Sequence, residues 1–198
     1  GLDDSFKSGR WYEKDYIMAK ERITEMNAAL SLRLAFDALF NELEHLWAIK
    51  KQLTKELNRL ARDEQYASSV KLLFSVPGIG LLTAIRLVLE WGDVSRFGRK
   101  EEFAKFIGLT PSEHSSGDTI HKSSITKQGN RSVRGWIIEC AWVAIKRDPV
   151  LLNKFNRVFH ASGSKKKAIV AVARSMAVRM RSILISRQPY AIGFFGVK

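Results

Sequence analysis

Residues 12–63 contain no Gly or Pro, and apolar positions recur through them at alternating spacings of four and three. One series is Tyr12, Tyr16, Ala19, Ile23, Met26 and Leu30; a second is Leu32, Phe36, Leu39, Leu43, Leu46, Lys50, Leu53, Leu57 and Leu60. Both are heptad patterns, which lay one apolar stripe along a helix. The phase slips between Leu30 and Leu32, so either two helices meet there or one helix rolls its stripe to a new face. An intramolecular helical hairpin and a dimeric coiled coil both satisfy the pattern, with Lys50 as a polar register position.

Turn residues punctuate the remainder. A short helix over Ser68–Val76 leads to Pro77-Gly78-Ile79-Gly80, and the period returns over Leu82–Trp91 and Phe97–Ile107, the latter halted by Gly108-Leu109-Thr110-Pro111. The polar stretch from Ser112 to Asn130 reads as irregular. Three helices follow: from the N-cap Asn130 to Arg147, from Asp148-Pro149 to Ala161, and from Ser164 to Arg187. Trp136, Ile137, Ile138, Ala141, Trp142, Val143 and Ile145, with Ile169, Val170, Val172 and Met176, recur at helical spacing and read as core.

Charge adds a direction. Residues 1–95 hold 13 basic and 14 acidic side chains, whereas residues 96–198 hold 20 basic and 6 acidic. The whole excess of +13 therefore lies in the second half, as expected where a polyanion is bound. Lys165, Lys166 and Lys167 sit at a predicted helix start, where cations oppose the helix dipole, so a ligand explains them better than helix stability does. There is no apolar run of about 18 residues and no signal-peptide pattern. Cys140 is the single cysteine, which excludes an intramolecular disulfide and fits a reducing compartment. The expected location is cytoplasmic and nucleoid-associated, with no membrane partner.

Val70–Arg86 is similar to a helix-hairpin-helix motif, two short helices flanking the Pro-Gly-Ile-Gly turn. Gly78, Ile79 and Gly80 are the candidate DNA contacts: the glycines permit close backbone approach, and amides at the following helix start would face a phosphate oxygen, whereas an ordinary tight helical connection would use Ile79 only as a core plug. Contact of that kind is to the DNA backbone and not to base sequence. The predicted fold class is all-α: a long helical hairpin or coiled coil over residues 1–65, then a compact helical DNA-binding domain over 66–198 containing this motif.

GLTPSEHSSGDTIHKSSITKQGNRSVR, from Gly108 to Arg134, together with the upstream SVPGIGLLTA, carries a family resemblance. The ordered series PGIG, GLTP, SSG, ITK and GN resembles the C-terminal domain of the insertion-sequence one-ten/one-sixteen transposases, a family that includes the Piv DNA invertases. The likeness runs from about Leu72 to Ile185. It implies a serine nucleophile acting on a DNA phosphodiester, at the position occupied here by Ser116 beside Gly117, with Ser115 an adjacent alternative. A covalent phosphoserine link conserves the energy of the broken bond, which suits strand exchange. Lys127, Arg131 and Arg134 are candidates for positioning phosphate, and His114 and His121 flank the serine pair. Without the resemblance, the serines would read as turn or capping residues.

The resemblance also implies an N-terminal RuvC-like domain with four metal-binding carboxylates and Mg2+, and in some members a guide (bridge) RNA. Nothing before Tyr12 resembles the apolar strand that opens such a domain. Asp3, Asp4, Asp15 and Glu21 read as solvated charges near a helix start, so no metal ligands and no cofactor are assigned to this chain. The expectation is a fragment that binds DNA, pairs as a homo-oligomer through its long helices and is inactive alone. The competing expectation is a non-catalytic helix-hairpin-helix DNA-binding module.

Overall fold

A computed structural model of the chain describes residues 13–25, 29–116, 119–125 and 129–193, the strand segments by their backbone. The fold is all-α, as the periodicity predicts. Among the described residues the helices are α1 (Glu13–Glu25), α2 (Leu30–Leu60), α3 (Glu64–Phe74), α4 (Leu81–Trp91), α5 (Lys100–Ile107), α6 (Arg131–Ala144), α7 (Pro149–Ser162) and α8 (Lys165–Ser186). The stretch read as irregular instead forms a two-stranded antiparallel hairpin, β1 (Pro111–Ser116) and β2 (Thr119–Ile125). Gly117-Asp118 between two short runs is a hairpin signal in the sequence that the helical reading passed over.

Helix starts follow local chemistry. Asp63, Asn130 and Asp148 each accept a hydrogen bond two residues on, at 3.0, 2.8 and 2.8 Å, and Ser164 accepts from the Lys167 amide at 3.3 Å. Each bond satisfies an amide that has no partner within the helix.

The pattern places a domain boundary at 65/66; the chain divides into two compact units, Gly1–Lys55 and Glu56–Lys198. In the first, Tyr16, Ala19 and Phe40 are buried, with Ile23, Phe36, Leu43 and Trp47 packed on them. Tyr16 meets Phe40 and Trp47 edge-on, at centroid separations of 5.2 and 4.9 Å. Glu44 accepts from the Tyr16 hydroxyl and from Lys20 at 2.9 Å, which holds its carboxyl below the usual carboxylate range. The α1–α2 contact is therefore a helical hairpin. It uses Phe40 and Trp47, which the predicted stripe omits, and leaves Leu32, Leu39, Leu46 and Leu53 exposed. Tyr12 and Met26 lie outside the described residues.

In the second unit α8 runs through the core. Ala168, Ile169, Val172, Ala173, Met176, Ala177 and Met180 are buried along it, against α3, α5, α6 and α7. Small residues at close spacing allow several helices to approach one axis. Two residues predicted as core are corrected: Trp142 and Val143 are 36% and 40% exposed. The packing stripe of α6 follows Val133, Ile137, Cys140, Ala141 and Ala144, so Trp142 and Val143 fall off it.

Candidate nucleic-acid interface

Three elements carry the predicted site residues. The first is the turn between α3 and α4. Ile79 is 5% exposed and plugs the core, and Gly80 N-caps α4 without a side-chain acceptor. A cavity of about 530 Å³ opens at this turn, lined by Pro77, Gly78, Gly80, Val143, Arg147 and Ile192 among others. Gly78 has φ +86° and faces inward on α6. The sequence offers Gly78 as a DNA contact, but its missing side chain is required by packing. Arg147, exposed beside the turn, was not singled out in the sequence.

The second element is the β1–β2 hairpin. Ser116 pairs with Thr119, Ser115 with Ile120 and His114 with His121, so the serine pair lies at the end of the ladder distant from α5. Gly117, Asp118 and the candidate Lys127 lie outside the described residues. The root of the hairpin is firmly tied. A β-carbon on Gly129 (φ +88°) would fall 2.1 Å from the Phe106 carbonyl oxygen, so the returning chain runs tight against the end of α5. Arg134 donates to the Gly129 carbonyl at 3.0 Å and to the Ile107 carbonyl at 3.5 Å, one bond on each side of the hairpin. Asn130 caps α6 with its carbonyl oxygen and donates from its amide to Glu90 on α4 at 2.8 Å.

This geometry corrects Arg134. It is 8% exposed, and its guanidinium is engaged by backbone carbonyls inside the fold. It clamps the hairpin and is not a surface phosphate contact. Arg131, three residues earlier, is exposed in the first turn of α6.

The third element is the start of α8, where Lys165, Lys166 and Lys167 are all exposed. Two other cations of α8, Arg179 and Arg181, are committed internally. Arg179 pairs with the buried Asp148 at 3.4 Å and meets the Tyr190 hydroxyl, while Arg181 donates to the Phe97 carbonyl. Burial, with the hydrogen bond to Asp148, holds the Tyr190 phenol protonated well above its ordinary range. Among the described residues no three His, Cys, Asp or Glu side chains converge.

Residues 70–156 match the model of the transposase IS116/IS110/IS902 family. Those residues are thus similar to that family's transposase domain. The chain is 26% identical over 98% of its length to the transposase for insertion sequence element IS1111A of Coxiella burnetii, covering 52% of that protein. It is 30% identical over 75% of its length to the pilin gene-inverting protein of Moraxella bovis, covering 44% of it. To the transposase for insertion sequence element IS1328 of Yersinia enterocolitica it is 32% identical over 49% of its length, covering 28% of that protein. The chain thus spans about half or less of these relatives' own length. No helix among its described residues is long and apolar enough to cross a membrane.

Proposed function

We propose that this chain is the DNA-handling part of a transposase or DNA invertase, with Ser116 as its nucleophile. The observation that carries the reading is the family match over 70–156, which encloses the ordered GLTP, SSG, ITK and GN series. The clamped root fixes where the hairpin leaves the helical core, which supports a role in presenting the serine pair. The Ser116 oxygen attacks phosphorus, a P–O bond to the DNA sugar breaks, the serine proton leaves to a base, and the departing oxygen gains one. Attack by another strand's hydroxyl reverses the step and restores serine. Ser115 is the alternative nucleophile.

DNA contact falls to the turn amides at Gly80 with Arg147, to Lys127 and Arg131 near the hairpin, and to Lys165–Lys167. Their cations offset charge on the phosphoryl oxygens. A guide RNA fits the same surface chemistry. The metal-binding carboxylates belong, on this reading, to a RuvC-like part beyond this chain's span, and the protein works at the bacterial nucleoid. The row Leu32, Leu39, Leu46 and Leu53, exposed at seven-residue spacing, supports pairing with a second copy, since recombination must hold two duplexes together.

Ser116→Ala and Ser115→Ala in a protein that also supplies the metal-binding part test the nucleophile. Ser116→Ala is expected to abolish strand exchange and the covalent protein–DNA adduct while keeping DNA affinity. Full exchange by Ser116→Ala would leave Ser115 or a non-catalytic module as the answer, and Ser115→Ala decides between them.

A further inference from the structure

Asp148 is the last acidic residue of the chain: residues 149–198 contain ten Lys or Arg and no Asp or Glu. Helices α7 and α8 lie in this acid-free stretch and pack as a hairpin about Gly163. Two cross-links give its register, Asp148 with Arg179 at the base and Lys154 with Ser175 two turns further along. Asp148 compensates Arg179, Arg181 is bound to the Phe97 carbonyl, and Arg187 donates to Ser69 at 3.2 Å. Lys154, Arg157 and Arg174 have no acidic partner among the described residues.

These three cations are brought together by packing. Lys154 and Arg174 are half-buried, and Arg157 lies one turn beyond Lys154 on α7. Burial, and then the charges of Arg157, Arg174 and Arg179, hold the Lys154 ammonium below its ordinary range. Like charges gathered with partial desolvation oppose folding unless an anion joins them. Lys154 donates to the Ser175 hydroxyl oxygen, so that hydroxyl keeps its own hydrogen to offer an acceptor. Toward the tip the hairpin ends in Lys165–Lys167, roughly 12 Å along the helix from Lys154, a length that follows about four phosphates of one strand.

We propose that Lys154, Arg157, Arg174 and the Ser175 hydroxyl form a binding site for nucleic-acid backbone phosphate on the α7–α8 hairpin. The site is on different elements from the α3–α4 turn and the serine hairpin. It rests on the reading of this chain as a nucleic-acid-handling protein and adds to it a second contact surface. Two guanidiniums and an ammonium donate to phosphate oxygens, with Ser175 completing the set, and the phosphate charge relieves the repulsion among them.

The test uses the full chain and its Arg157→Gln/Arg174→Gln variant, with fluorescence anisotropy on labelled duplex DNA and on single-stranded RNA across a salt series. Each lost phosphate contact removes about 0.9 from the slope of log affinity against log salt on duplex DNA and about 0.7 on single strands. The double variant is expected to lose about two contacts, to bind roughly tenfold or more weakly, and to unfold at the same or a higher temperature without ligand. Arg157→Lys/Arg174→Lys should keep most of the slope. Loss on DNA or on RNA supports the site and shows which backbone occupies it. Unchanged affinity and slope on both, with wild type binding, overturns this site alone. An equal loss from Lys50→Gln/Lys51→Gln also overturns it, because the effect would then be general charge. A wild-type chain that binds neither nucleic acid overturns both the site and the functional reading.

Discussion

Gly78 lies directly against the backbone of Cys140: a β-carbon on Gly78 would fall 2.5 Å from the Cys140 carbonyl oxygen. The α3–α4 turn is thereby seated on α6, the helix that begins at the hairpin root. The same glycine has a left-handed φ of +86°, so any side chain meets both strain and a clash. Gly78→Ala is expected to lose about 2–4 kcal/mol of stability. Gly80, with open space around it and φ −88°, should lose under about 1 kcal/mol on the same change. Urea unfolding of both variants checks the contrast, and equal losses would mean that the packing at Gly78 does not matter.

Arg134 joins the two ends of the serine hairpin through the Ile107 and Gly129 carbonyls. Arg134→Gln should cost about 1.5–3 kcal/mol and speed amide exchange in β1 and β2 more than in α8. Wild-type exchange in the strands together with weakened DNA binding would instead return Arg134 to the surface role that the sequence offered.

The Cys140 thiol is buried, which pushes its pKa up to about 11 with help from the charge of Glu139. The unfolded thiol ionises near its ordinary value of 9.0. Between the two values the folded chain holds more protons than the unfolded one, so this group's contribution to stability falls as pH rises from about 9 to 11. Cys140→Ala should flatten that fall by up to about 2 kcal/mol, read as the difference in pH slope between the two proteins. Alkylation of native Cys140 at neutral pH should be slow, and fast labelling would contradict its burial.

Leu39 and Leu46 are 65% and 51% exposed on α2. If this row pairs two copies, Leu39→Asn/Leu46→Asn should give a monomer by analytical ultracentrifugation while keeping helical content, because the Tyr16–Phe40 contact lies on another stripe. A wild-type chain that stays monomeric at every concentration tried would refute pairing through this face.

If the metal-binding carboxylates lie in another part of the protein, as proposed, the chain by itself should bind duplex DNA with steep salt dependence yet form no covalent adduct. Trapping labelled DNA on Ser116 in the absence of any added protein would show that the hairpin is a complete active site.

The sequence by itself determined the helices, since their signals are local: the period of apolar residues, the caps Asn130, Asp148 and Ser164, and the proline after Asp148. It also located the transposase motif series, because ordered short motifs survive in one dimension. Only the tertiary structure decided what those residues face. Cross-strand pairing made a hairpin of the segment around Ser116. Packing against α6 and α5 explained Gly78 and Gly129, and burial turned Arg134 from a presumed phosphate contact into a clamp. The α2 stripe was split in the same way, Phe36 and Leu43 packing on the cluster around Tyr16 and Leu39 and Leu46 going to solvent. A heptad shows that a helix has an apolar face, but the partner of that face is a long-range fact that spacing does not encode.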